Sequence, residues 1–231
     1  MREAVSLAYL GRLHVYLGDD AGSQEYLDQF LHVIDDIDAI RRRLGSVALA
    51  VRHYHAGDAE QALVYARRAV ITARVGGQSR GPRRCLVVTA QILAGMNRLA
   101  EATDAYQRAI ALCDGVDSAS EAINARAALA QIALERGDES SARAYANLIL
   151  ATLAEHPDGC VDQPGAVYLA CYQVLDAIGD PRATEILDKA YHQLLEYANG
   201  IVDERRRRSF LENVTAHREL QQAYEELASF E

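Results

Sequence analysis

Apolar residues recur along this chain at the spacing of one helix face, in ten long stretches separated by short polar breaks. Five of the breaks carry a common mark: Gly18-Asp19, Gly57-Asp58, Asn97-Arg98, Gly137-Asp138 and Gly179-Asp180. The marks stand about 40 residues apart, and each lies between two Ala/Leu-rich amphipathic stretches. A period of this length is the signature of stacked helical hairpins, since each pair has an apolar face that only its neighbours can bury. The pattern predicts first helices near 3–17, 40–56, 82–96, 119–136 and 165–178. It predicts second helices near 21–37, 59–75, 99–113, 139–155 and 181–199, and a last helix near 216–229.

The residues around each mark explain the hairpin. Glycine ends the first helix because it takes the left-handed conformation without a Cβ penalty. The Asp after it can cap the second helix by accepting orphan backbone N–H bonds. Ala62, Ala102 and Ala142 each stand five places after a mark, where a small residue lets the two helices press together. Upstream, Leu10-Gly11, Leu49-Ala50 and Leu129-Ala130 place a large residue before a small one at a fixed distance from the mark. Thr89-Ala90 and Cys171-Tyr172 depart from that pattern. The joints between hairpins fall at Asp35-Asp36, 76–82, 114–118 and 156–164, and the second and fourth are the expected flexible and protease-sensitive points.

Composition agrees with helices. The 231 residues are 50% hydrophobic, with 4 Pro and no Trp. The formal net charge of -9 argues against a sequence-independent grip on nucleic acid. Met1–Leu10 does not read as a secretory signal, and no apolar run is long enough for a membrane helix. Cys85, Cys113, Cys160 and Cys171 form no CxxC pair, so free thiols in a reducing cytoplasm are expected.

The pattern x-L-G-x-x-Y…G-[DR]-x-x-x-A…[YF]-x-x-A over about residues 3–199 resembles the tetratricopeptide repeat. The longer period resembles the long-helix variety found in bacterial regulatory ATPases, transcriptional activators and peptide-responsive regulators. The tail, from Ala177-Ile-Gly-Asp-Pro-Arg-Ala183 to Ser209-Phe-Leu-Glu-Asn-Val214 and His217-Arg-Glu-Leu220, looks like the end of such regions in large bacterial signalling proteins. The resemblance implies an all-α right-handed superhelix. Five hairpins would occupy 1–199, and 200–231 would form a capping segment and helix of the same domain. A repeat helix follows Met1 almost at once, which suggests an excised fragment.

The resemblance also implies a groove lined by the first helix of each pair. Six places before each mark stand Arg12, Val51, Gln91, Gln131 and Gln173. Three glutamines in register can donate to and accept from a peptide backbone. Neighbouring helical phases add Tyr16, Tyr54, Arg84, Asn124 and Asp176. The Lys/Arg and Asn set of the family's carboxylate clamp is not found. Expected groove residues are therefore Arg12, Tyr16, Tyr54, Arg84, Gln91, Asn124, Gln131 and Gln173, with their amides free before a partner binds.

Catalytic and metal chemistry are not expected. His53 and His55 stand two apart on a helix and cannot chelate together. No nucleophile elbow, zincin motif or phosphate loop occurs, and no cofactor is implied. Gly76-Gly77-Gln78-Ser79-Arg80-Gly81 follows a helix and lacks the Lys-Ser/Thr ending, so it reads as a joint. The cluster Arg205–Arg208 reads as a partly neutralised solvated face, with Arg207 or Arg208 pairing with acids on the previous helix. The expected function is a non-catalytic, cytoplasmic protein- or peptide-binding module, the sensory or assembly part of a bacterial regulator. Two alternatives stand beside it. One is a small-ligand pocket ringed by Tyr16, Tyr54, Arg12 and Arg84, and the other is a homo-oligomerisation unit such as a dimer.

Overall fold

The structure, a computed structural model, describes residues 2–33, 39–75, 80–113, 119–155, 161 and 164–229. The joints at 35–36, 76–79, 114–118 and 156–160, with Cys160, lie outside these residues. Among the described residues every regular element is a helix. The first pairs are α1 (Arg2–Tyr16) with α2 (Asp20–Val33), α3 (Ala39–His55) with α4 (Ala59–Val75), and α5 (Arg80–Gly95) with α6 (Leu99–Ala111). There follow α7 (Ala119–Glu135) with α8 (Glu139–Glu155), and α9 (Pro164–Ala177) with α10 (Arg182–Gly200). Two more helices close the chain, α11 (Glu204–Glu212) and α12 (Thr215–Ala228). The first of these is absent from the sequence-based expectation. The joint expected to run through Pro82 is also shorter, because α5 already begins at Arg80.

All five marks adopt the backbone their residues suggest. Gly18, Gly57, Gly137 and Gly179 have φ between 65 and 80°, and among the described residues Asn97 is the one non-glycine with positive φ, at 58°. At Gly57 the turn N–H donates to Tyr54 O at 3.0 Å, and the next N–H, of Asp58, reaches back to His53 O at 2.8 Å. The same pair of bonds recurs at Asn97, Gly137 and Gly179. These bonds satisfy carbonyls that the helix end would leave bare. The capping role of the following Asp also holds. Asp58 Oδ1 accepts from Gln61 N, Asp138 Oδ1 from Ser141 N, and Asp180 Oδ1 from Arg182 N. Arg98 has no such side-chain bond and ties instead to Glu101 at 2.7 Å.

The chain divides into two compact units. The first comprises Met1–His14 and Asp20–Ala125. In it Leu7, Leu27, Phe30 and Ala48 form one buried cluster, and Ala69, Ala73 and Cys85 another. Gly11 sets the approach of α1 to α2, since a Cβ there would come within 3.0 Å of Leu27 Cδ2. Ala62 and Ala102 are 0% exposed at the hairpin crossings.

The second unit comprises Val15–Asp19 and Arg126–Glu231. Ala142, Ala146 and Ile149 of α8, Cys171, Val174 and Leu175 of α9, and Leu187 of α10 are among its most deeply buried side chains. In its last hairpin the small crossing residue is Ala183, one place earlier than in the others. There Pro181 occupies the turn, and the helix starts at Arg182. The helix α12 packs on α9 and α10. Tyr224 of α12 stacks on Tyr191 of α10 with centroids 3.8 Å apart and planes inclined by 7°, and Leu220 is fully buried. Asp203 starts α11 by accepting the Arg206 N–H at 2.9 Å. The turn at Gly18 belongs to this unit and sits against the α11–α12 junction. Asn213 Nδ2 donates to Gly18 O at 3.3 Å, and a Cβ at Gly18 would lie 2.8 Å from Asn213 Cβ.

Candidate functional site

The position six places before each mark follows a buried small residue, Gly11, Ala50, Ala90 or Ala130, in the first four hairpins. Helical geometry then turns the next side chain away from the seam. Gln91 and Gln131 are accordingly exposed and Gln173 is half-buried. In the second unit the two glutamines are not free. Gln131 Nε2 on α7 donates to Gln173 Oε1 on α9 at 3.0 Å. Two amides one period apart in sequence thus form a rung between the first helices of neighbouring hairpins. The expectation of free amides is corrected there: the side chains are long enough to meet across adjacent helices and satisfy each other. The bond uses one N–H and one carbonyl lone pair, so each amide keeps further capacity.

Tyr16 is, like Gln131 and Gln173, a member of the second unit and is half-buried, and the other expected groove residues lie in the first. Arg12 lies on α1, its side chain outside the described ones. Tyr54, Arg84 and Asn124 lie on α3, α5 and α7, and Arg84 and Asn124 are half-buried. Tyr54 is partly exposed, but its ring covers the end of α5. A Cβ at Gly95 would come within 2.3 Å of its hydroxyl oxygen. Glycine at 95 is what lets the ring lie there. Burial, with Tyr54 nearby, pushes the Tyr106 phenol well above its ordinary range.

Several ionisable groups have structural work. His53 Nδ1 lies 3.3 Å from Asp58 Oδ2, and its ring stacks on Tyr65. His14 is buried beside Tyr26. Arg67 of α4 meets Glu101 of α6 at 3.3 Å, and Arg143 of α8 meets Asp180 at 3.1 Å. Arg182 also binds Asp180, and these hydrogen bonds and charges hold its carboxyl well below the usual carboxylate range. Cys85, Cys113 and Cys171 are not in disulfides, and burial pushes the Cys171 thiol up to about 12. A thiol so protonated is a poor nucleophile. In the arginine run, Arg207 pairs with Glu204 one turn away on its own helix, not with an acid on the previous one. Arg205, Arg206 and Arg208 are exposed.

The second unit also contains a pocket of about 300 Å³ that sequence reasoning did not find. Pro164 and Gly165 of α9 and Gln193, Leu194 and Tyr197 of α10 form part of its wall. Tyr16, Val161, Ile201, Phe210 and His217 contribute to the remainder. None of these side chains carries a fixed charge. The pocket takes in Tyr16 from the ring expected at the sequence level, whereas Arg12, Tyr54 and Arg84 belong to the first unit. His217 is 6% exposed. Its Nδ1 lies 2.8 Å from Phe210 O, and because a carbonyl only accepts, that nitrogen carries the proton. Burial lowers the imidazole pKa, outweighing the carbonyl bond that raises it. The ring is therefore a neutral imidazole whose Nε2 is an acceptor. Nε2 has no hydrogen-bond partner among the described residues. It would lie 3.1 Å from a Cβ placed on Gly165.

No family model matches the chain, and no curated protein matches it. Solved structures do. The TPR-like repeats of a kinesin light chain from Podosopora anserina align with 86% of this chain and 99% of theirs, at 14% identity and TM-score 0.59. The BtubC protein of P. vanneervenii aligns with 86% of this chain and 82% of its own, at 17% identity and TM-score 0.62. At these identities the likeness is one of fold. The chain has the all-α, tetratricopeptide-like repeat fold. Among the described residues no helix is long and apolar enough to cross a membrane.

Proposed function

We propose that this chain is a non-catalytic module that binds a protein or peptide along the first-helix faces of its hairpins. In this reading it serves as the sensory or assembly region of a bacterial signalling or transcriptional regulator. The observation that supports it best is the Gln131–Gln173 rung. Two solvent-accessible amides are held in a fixed relation by each other, and their remaining N–H and C=O groups match the alternating donors and acceptors of a peptide backbone. Pre-ordering the two side chains lowers the entropy lost when a partner binds. Gln91, exposed at the same register in the first unit, offers the same chemistry there. Tyr54 and Arg84 supply apolar surface and charge that would select among peptide sequences.

The experiment is a screen of arrayed peptides against the chain, followed by titration of any hit against a variant with Gln91, Gln131 and Gln173 all replaced by Ala. Hydrogen bonds of this kind contribute about 0.5–1.5 kcal/mol each, so affinity should fall at least about tenfold. Stability should move by no more than about 0.5 kcal/mol, as for other surface changes. Unchanged affinity in the triple variant would remove the glutamines from the binding face.

A further inference from the structure

We propose that the pocket of the second unit is a binding site for a small, neutral, largely apolar molecule that presents one hydrogen-bond donor to His217 Nε2. The site stands apart from the glutamine rung and does not depend on the peptide reading. Its volume of about 300 Å³ is at the lower end of the range for small-molecule pockets. A fused aromatic bicycle is the appropriate size.

Three features fix the chemistry of the occupant. First, no lining residue supplies a counter-charge, so a charged ligand would lose its hydration without compensation. Second, the walls at Tyr16, Tyr197 and Phe210 are aromatic, which suits a flat apolar body. Third, the imidazole is oriented. Phe210 O holds the Nδ1 proton, and the ring leans on Phe210 with centroids 4.2 Å apart. This leaves Nε2 as an oriented acceptor in the pocket wall for a ligand N–H or O–H. Gly165 keeps that acceptor uncovered, because any side chain there would start 2.9 Å from the ring at Cδ2.

The test uses the full chain and two isosteric probes, indole, which has one N–H donor, and indene, which has none. Binding is followed by nitrogen-15 NMR of labelled histidine and by titration calorimetry. Indole should bind saturably and shift the Nε2 resonance of His217. Indene should bind about tenfold more weakly, the scale of one hydrogen bond in a desolvated site. His217→Phe should equalise the two probes. Gly165→Ala should abolish indole binding, and Tyr197→Ala, at an exposed position, should weaken both probes. Replacing the three glutamines should leave indole binding unchanged, which separates this site from the peptide face. No saturable binding of indole would overturn the proposal. So would equal affinity for indole and indene in the unaltered chain, or indole binding that persists in both the Gly165 and Tyr197 variants.

Discussion

Replacing the turn glycines with alanine isolates the energy of one backbone conformation. Gly57, Gly137 and Gly179 have φ of 80, 73 and 65°, and an added Cβ at any of them would meet nothing within 4 Å. No packing clash contributes, so the cost is the left-handed conformation alone, about 1–2 kcal/mol for a residue with a Cβ. At a urea slope of about 2 kcal/mol/M this lowers the midpoint by about 0.5–1 M, with the slope unchanged. The three single variants should agree with one another, because their surroundings are equally open. Gly18→Ala should cost more than any of them. Its φ is 67°, and the new Cβ would also lie 2.8 Å from Asn213 Cβ and 2.9 Å from the backbone oxygen of Ser209. Asn97→Gly should change little, since asparagine already tolerates the region. Urea denaturation followed by circular dichroism measures the whole series. A Gly137→Ala variant with an unshifted midpoint would refute the turn geometry, and so the reading of the marks as helix stops.

Three further outcomes follow from the same structure. Ala102→Leu should overpack the crossing of α5 and α6, where Ala102 is fully buried, and cost about 1–3 kcal/mol by denaturation. His217 is held neutral by burial, while an unfolded chain has a histidine of pKa about 6.5 that gains a proton as pH falls. Stability should therefore decline as pH drops through about 6.5 towards the lower folded value, and His217→Gln should flatten that slope in melts taken between pH 7.5 and 5.5. Far-ultraviolet circular dichroism should show a helical spectrum, and a strand share near the globular average of about a quarter would contradict the fold.

The hairpins were legible because their signals are local and repeated. Glycine or asparagine at a left-handed turn, Asp as a cap and alanine at a crossing each act within a few residues, and the marks repeat them. Even Asn97 was readable as a turn, since its neighbours Leu99 to Tyr106 keep the register of the other repeats. The helix α11 was not, because Arg205–Arg208 give it no apolar stripe and its start depends on one cap, Asp203. At the glutamines, sequence placed the side chains in phase. It could not show that Gln131 and Gln173 reach each other, since this depends on the spacing of two helices. The pocket was invisible for a related reason. Its walls come from residues as far apart as Tyr16 and His217, and no motif links them.

The contact between Gly18 and Asn213 spans 195 residues, in a fold whose other contacts are mostly between neighbours in sequence. During synthesis the ribosome delivers the Gly18 turn long before Asn213 exists. The early hairpins can form as they emerge, yet this turn must wait without its mate until 195 further residues have been made. Nearest-neighbour arrays are expected to nucleate anywhere and propagate. This contact instead adds a late step whose entropic penalty grows with the length of chain between its two partners. A nascent chain halted before residue 204 lacks Ser209 and Asn213, the residues that meet the turn, so this contact is made only after α11 has been synthesised.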